Sequence, residues 1–210
     1  MSELADVIAE LNEDEAKRLV REEIDAGVEP MSIVDECRQG MDIVGERYKK
    51  KEYFLSELIV SGEIFKEAMA VVEPLLKGGK EADSLSKMVL GTVKGDIHNI
   101  GKDIVGMLLT AAGFEVYDLG IDVEPSIFVD KLTETGAPIL GMSGLLTPSF
   151  KSMKETVKAV EEAGLRDKVK IIIGGGIMTE QVREYVGADA CTNDASEGVD
   201  ICKKFAKEGK

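Results

Sequence analysis

The 210 residues contain one histidine, His98, two places after Asp96 in Gly95-Asp96-Ile97-His98-Asn99-Ile100-Gly101. An imidazole has two ring nitrogens. A carboxylate that accepts the N–H of one fixes the tautomer and leaves the other to bind a metal or carry a proton. The apolar run before the pair, Met88-Val89-Leu90-Gly91-Thr92-Val93, reads as a buried strand, and a helical pattern begins near Ile100. The histidine therefore falls at the carboxyl end of a strand, where open α/β sheets bind ligands. A plainer reading fits the same residues: a loop histidine that caps a helix, with Asp96 as a turn residue.

The rest of the chain offers little competing chemistry. A second histidine for a base–nucleophile pair is absent, and Cys37, Cys191 and Cys202 are scattered without zinc-type spacing. Their odd number argues against a disulfide framework and for a reducing cytoplasm. The formal charge of −14 argues against phosphate-backbone binding, so no nucleic-acid partner is expected. No apolar run approaches the roughly 20 residues that span a bilayer, so no membrane role is expected. Met1-Ser2-Glu3-Leu4 has neither the basic start nor the apolar core of a signal peptide.

Positioning His98 falls to a chain that changes character near Lys77-Gly78-Gly79-Lys80. Residues 1–79 hold 19 acids against 10 bases and carry helical periodicity. Asn12 with Glu15 three residues on reads as a helix cap, Gly27 as a stop and Pro30 as the next start. Ile33, Val34, Cys37, Met41, Val44 and Tyr48 share one helical face. A further helix is expected from about Ser56 to Leu76, with Leu58, Ile59, Phe65, Met69, Val72 and Leu76 inward. The expectation is an all-α domain over 1–79, a four-helix bundle, followed by a linker over 80–86. Residues 87–210 alternate five apolar runs (Met88–Val93, Phe114–Leu119, Ile139–Ser143, Val169–Ile173, Ala188–Thr192) with helices near 100–112, 125–135, 149–163, 179–186 and 196–207. That alternation implies an α/β domain with a doubly wound, flavodoxin-like or Rossmann-like five-stranded parallel sheet in the order 2-1-3-4-5.

In that order strands 1, 3 and 4 lie side by side, and their carboxyl ends carry three unusual stretches. Asp96 and His98 follow strand 1, with Gly101 allowing close backbone approach. Ser143-Gly144-Leu145-Leu146-Thr147-Pro148-Ser149 follows strand 3, and Gly174-Gly175-Gly176 follows strand 4. Each alone is ordinary: hydroxyl-rich loops usually cap helices, and glycine-rich strand ends are usually turns. Together they line adjacent strand ends with small residues and leave a slot beside the histidine.

Asp-x-His-x-x-Gly, then Ser-x-Leu, then Gly-Gly resembles the cobalamin-binding corrinoid proteins of methyltransferase systems, and the likeness covers nearly the whole chain. Residues 93–105 and 143–149 are especially similar to the cobalamin module of methionine synthase. The short length resembles the carriers of methanol, methylamine and aryl-methyl-ether systems. The resemblance implies that cobalamin binds base-off and His-on, its nucleotide tail threaded into the α/β domain. His98 would ligate cobalt, Asp96 would accept its other N–H, and Ser149 would complete the relay to solvent. Gly95, Ile97, Asn99 and Gly101 of that loop would also bind the cofactor, and Ser143 and Thr147 would bond the tail. Leu145, Gly174 and Gly175 would pack around it, with Ala195 touching it. Tyr48 and Leu55 of the helical cap would cover the cofactor's upper face; Tyr48 fits plain bundle core as well. Two departures stand out. Asn99 and Asp103 look like an exchange of the family's usual pair, and Gly176-Ile177-Met178 is a variant of its third stretch.

The implied activity is methyl carriage, the cofactor alternating between cob(I)alamin and methylcobalamin. The chain would be non-catalytic alone and would serve a substrate:corrinoid methyltransferase, an acceptor methyltransferase using tetrahydrofolate or a thiol, and a reductive activator of the corrinoid. Methanol, methylamines and methoxylated aromatics are the candidate donors for such demethylation. Three alternatives stay open here. A small subunit of an adenosylcobalamin-dependent mutase would generally lack the helical module. A cobalamin-sensing regulator would usually carry a basic DNA-binding helix. A flavodoxin- or receiver-like domain without cobalamin matches the architecture but leaves the three loops unexplained.

Overall fold

The computed structural model describes residues 2–76 and 84–208. The expected hinge at 77–80, and the expected linker as far as residue 83, lie outside the described residues. Two compact units result: the helices through Ser84, and a sheet unit from Leu85 on, residues 111–113 excepted.

Among the described residues the helical unit has four helices: α1 (Glu3–Ala9), α2 (Glu13–Asp25), α3 (Pro30–Lys49) and α4 (Leu55–Leu76). Their starts follow local chemistry. Ser2 Oγ accepts from Ala5 N at 3.2 Å, and Asn12 Oδ1 accepts from Glu15 N at 3.3 Å. Pro30 opens α3, where its missing N–H costs nothing. Glu57 reaches back to Phe54 N at 2.8 Å ahead of α4. Leu4, Ile8, Ile33, Leu58 and Ile64 form the centre of the bundle. Gly40 lets α1 and α3 approach, because a Cβ there would stand 2.8 Å from Ile8 Cβ and 2.9 Å from the Ala5 carbonyl oxygen. Of the expected inward face of α4, Leu58, Phe65 and Val72 are buried, Met69 is half-buried, the side chain of Leu76 lies outside the described residues, and Ile59 needs correction. Ile59 is 43% exposed, because the buried row runs Leu58, Ser61, Phe65, Ala68, Val72, and Ile59 stands one residue out of that helical phase.

The sheet unit carries β1 (Lys87–Thr92), α5 (Ile100–Ala111), β2 (Glu115–Asp118), α6 (Pro125–Thr135), β3 (Ile139–Ser143), α7 (Ser149–Glu162), β4 (Lys170–Gly174), α8 (Glu180–Val186), β5 (Ala190–Thr192) and α9 (Ala195–Glu208). The sheet is parallel throughout, in the order β2-β1-β3-β4-β5. Helices on both faces account for the near-continuous apolar strands. One face buries Val89, Leu140, Ile171 and Ile173 against Phe128 and Met153. Register aligns the strand ends in one row, Thr92 beside Ser143, Ser143 beside Gly174, and Gly174 beside Thr192. The loops that leave this row build the site. Among the described residues no helix is long and apolar enough to cross a membrane.

Candidate functional site

The loop after β1 opens with a tight turn. Asp96 N bonds to the Val93 carbonyl at 3.1 Å, and Gly95 takes φ +80°, a value suited to glycine at the third position of a type II turn. This turn brings Asp96 into the protein with no solvent exposure, while the His98 side chain stays 47% exposed. Asp96 Oδ1 accepts from His98 N at 3.0 Å and from His98 Nδ1 at 2.7 Å. Asp96 Oδ2 accepts from Leu145 N at 2.7 Å, Leu146 N at 3.2 Å and Ser149 Oγ at 2.6 Å.

Burial by itself would raise the pKa of such a carboxyl. The donors outweigh it: Ser149 Oγ, the backbone N–H groups of His98 and Leu145, and the imidazole hold Asp96 well below the usual carboxylate range. Asp96 is therefore an anion that binds imidazole through Nδ1–H. That tautomer leaves the Nε2 lone pair available to a metal. Among the described residues no group of three His, Cys, Asp or Glu side chains could hold a metal ion.

The loop after β3 is shaped by what it delivers to Asp96. Ser149 begins α7, is 2% exposed, and its N–H bonds to the Leu146 carbonyl at 2.9 Å. With Ser149 enclosed, the solvent-facing member of the Asp96–His98–Ser149 set is the imidazole. Gly144 is required beside it, since a Cβ there would lie 2.7 Å from Ser149 Cβ. Ser143 is half-buried at the end of β3, and Thr147 is exposed. Gly174 and Gly175 follow on β4, and Ala195, half-buried, opens α9. A Cβ on Gly101 would meet nothing within 4 Å, so packing inside the protein does not require glycine there. Asn99 Nδ2 donates to Asp103 Oδ2 at 2.7 Å.

Around the imidazole the loops expose apolar side chains: Ile97 66%, Ile100 65%, Ile121 45%, Leu146 43%, Ile177 40% and Leu145 38%. A rim of this kind at the strand ends suits a large, mostly apolar ligand. Tyr48 and Leu55 belong to the helical unit, at the end of α3 and the start of α4. Tyr48 is half-buried, and Leu55 is 46% exposed next to Phe54 at 67%.

Several supporting residues carry little sequence signal. Thr92 is fully buried and donates to the His98 carbonyl at 3.3 Å. Lys102 is 3% exposed and pairs with Asp103 at 2.6 Å and with Asp118. Asn193 accepts from Met178 N and donates to Met178 O, both at 2.8 Å, tying the loop after β4 to the end of β5. Only the position of Thr92 at the end of an apolar strand, and a lysine inside the buried side of α5, hint at such roles.

The chain matches the B12 binding domain twice, over residues 2–73 and over residues 86–202. It belongs to the cobalamin-binding corrinoid proteins. The corrinoid protein described here is 35% identical to a dimethylamine corrinoid protein of Methanosarcina barkeri, over 98% of this chain and 96% of that one. It is similar to the crystal structure of a cobalamin-binding protein from Desulfitobacterium hafniense, with 40% identity, a TM-score of 0.79 and 96% coverage of each chain. It is also similar to a chain of the methanol:cobalamin methyltransferase complex of Methanosarcina barkeri, with 25% identity, a TM-score of 0.87, and coverage of 97% of this chain and 78% of that one. The corrinoid protein's cofactor is cobalamin. The outward Nε2, the apolar rim and the glycine-walled loops fit a metal that arrives inside a macrocycle.

Proposed function

We propose that this corrinoid protein is a methyl carrier that holds cobalamin base-off, with His98 Nε2 as the lower ligand of cobalt. When bound, the corrinoid supplies a cobalt centre that takes up and gives away the methyl group. The protein's own residues supply ligation, orientation and shielding. Asp96, made anionic by five donors, holds His98 in the Nδ1–H tautomer. Ser149 Oγ donates to that carboxylate and would keep it in place while His98 holds the cofactor's metal. Gly95, Ile97, Asn99 and Gly101 form the rim of the imidazole. Ser143 and Thr147 offer hydroxyls to the nucleotide tail, and Leu145, Gly174, Gly175 and Ala195 line its path. The observation that carries the reading is Asp96, which joins the imidazole of one loop to the amides and hydroxyl of another.

The related proteins named for dimethylamine and for methanol support a donor in that class, with methoxylated aromatics as a third candidate. The partners would be a substrate:corrinoid methyltransferase, an acceptor methyltransferase using tetrahydrofolate or a thiol, and a reductive activator. The test uses the protein loaded with Co(II) cobalamin and labelled with nitrogen-15 in histidine. One histidine makes the label unambiguous. Replacement of the three-line nitrogen-14 splitting in the EPR spectrum by a two-line pattern supports ligation by His98. Unchanged splitting sinks it.

A further inference from the structure

The loop between β2 and α6, Leu119 to Glu124, lies along the His98 loop and is bonded to it at several points. Thr92 N bonds to the Gly120 carbonyl at 2.9 Å, Val123 N to the Thr92 carbonyl at 3.0 Å, and Asp122 N to the Asp96 carbonyl at 3.0 Å. Val93 and Val123 form an isolated parallel bridge, and Lys94 pairs with Glu124 at 2.8 Å. The remaining link is made by a side chain. Gly95 N donates to Asp122 Oδ1 at 2.7 Å.

From this we infer that Asp122 is a positioning residue for the cobalt ligand, acting through the Lys94–Gly95 peptide. The inference rests on the ligation by His98 proposed above. The central peptide of a tight turn can face either way, and the two orientations separate type I from type II turns. A carboxylate placed to accept the Gly95 N–H selects the type II form, which gives Gly95 its φ of +80°. The next residue is Asp96. With the Gly95 amide and the Asp96 carbonyl both held by Asp122, the backbone is fixed from which the Asp96 side chain reaches Leu145 N, Ser149 Oγ and the imidazole. Asp122 grips the loop from both ends, its N–H on the Asp96 carbonyl and its carboxylate on the Gly95 amide.

Its own backbone is adapted to the task. Asp122 has φ +54°, and among the described residues of the sheet unit it is the only non-glycine with positive φ. Aspartate and asparagine tolerate that region better than other side chains, and such conformations gather at functional sites. Asp122 is exposed, so no packing role explains its identity.

The informative pair of variants is Asp122→Gly and Asp122→Asn. Glycine accepts φ +54° without strain but removes the acceptor; asparagine keeps both. The readouts are Gly95 amide exchange and the His98 ring nitrogen-15 shifts in cobalamin-free protein, and the nitrogen splitting of the Co(II) cobalamin complex. Asp122→Gly is expected to speed Gly95 exchange by about tenfold or more, broaden or shift the Nδ1 resonance, and lose the histidine splitting while circular dichroism is kept. Asp122→Asn is expected to restore the splitting. Its uncharged acceptor should leave Gly95 exchange faster than in the parent by about fivefold. If Asp122→Gly keeps the parent splitting and ring shifts, the proposal is overturned. If the parent itself shows no histidine splitting, the ligation reading fails, and the cobalamin-free ring shifts still decide whether Asp122 positions His98. Should Asp122→Gly not fold, Asp122→Ala takes its place with the same readouts, and retained parent splitting and ring shifts overturn the proposal.

Discussion

Gly175 lies against Gly144 so closely that a Cβ on Gly175 would stand 1.9 Å from the Gly144 carbonyl oxygen. Gly175 also adopts φ +141°, a region unfavourable to L side chains. Beside this contact Gly144 N bonds to the Gly174 carbonyl at 3.1 Å. The loops after β3 and β4 thus meet backbone to backbone, and Gly144 in turn touches Ser149, which holds Asp96. A glycine contact in the third loop therefore braces the carboxylate of the first.

Two alanine substitutions should separate structural from ligand-related glycines. Gly175→Ala forces the loops apart and is expected to destabilise the cobalamin-free protein by about 2–4 kcal/mol, read as a lower urea midpoint. Gly101→Ala adds a methyl group into open space on α5 and should leave stability unchanged or raise it by up to about 1 kcal/mol. If that open space is reserved for the corrin, Gly101→Ala should still weaken cobalamin binding, by about tenfold or more. Undiminished affinity in Gly101→Ala would remove that residue from the binding surface.

Asp96→Asn should disable ligation by changing which nitrogen of His98 carries the proton. The three donors on the Oδ2 side require an acceptor, so the amide oxygen must sit there and the amide nitrogen must face His98. An amide N–H then donates to Nδ1, leaves the proton on Nε2, and opposes the His98 backbone N–H. Loss of histidine splitting, with the nitrogen-15 spectrum of the free protein showing the Nε2–H form, is the expected outcome. Retained splitting would show that the carboxylate does not set the tautomer.

Lys102 is nearly enclosed, while its partners Asp103 and Asp118 remain 51% and 43% exposed. The two sides of this cluster should respond unequally. Lys102→Met keeps the apolar stem and frees two carboxylates that water can solvate, so a cost within about 1 kcal/mol is expected. Asp118→Ala leaves the buried ammonium with one partner and deprives Gly120 N of its acceptor at 2.9 Å. Its cost should be larger, about 2–3 kcal/mol. Urea midpoints of the two variants check the order, and a reversed order would mean that the ammonium reaches water in the native state.

How far these relations can be seen without coordinates depends on who the partners are. The strand order and the span of β3 are legible because apolar runs alternate with helical patterns, although the edge strand β2 is only Glu115-Val116-Tyr117-Asp118. Asp96 and His98 are legible as a pair because they sit two residues apart. The other half of the Asp96 shell is not. Leu145 N and Leu146 N arrive from about fifty positions away, and a backbone amide leaves no mark in the side-chain sequence. Thr92, Asn193 and Asp122 escape notice for the same reason, as each serves backbone groups of another loop. Ile59 misleads in the opposite direction. It is apolar and next to a core leucine, yet one residue of helical phase turns it outward.

The buried thiols give the protein an alkaline limit. Burial pushes Cys202 up to about 12 from an ordinary value of 9.0, and burial, reinforced by Glu23 and Glu36, pushes Cys37 up to about 12 as well. Both residues have no solvent exposure. A thiol raised in this way keeps its proton in the folded chain after the unfolded chain has lost it. Stability is therefore full below pH 9 and falls as pH rises toward 12. At pH 10.5 the loss should amount to about 2 kcal/mol per thiol relative to pH 7.5. Cys202→Ala removes the titrating group, so its urea midpoint, lower at both pH values because of the cavity, should drop less between them than that of the parent. Cys37→Ala should do the same for the helical unit. Equal drops in parent and variants would mean that the thiols ionise in the folded state and that water reaches both cores at high pH.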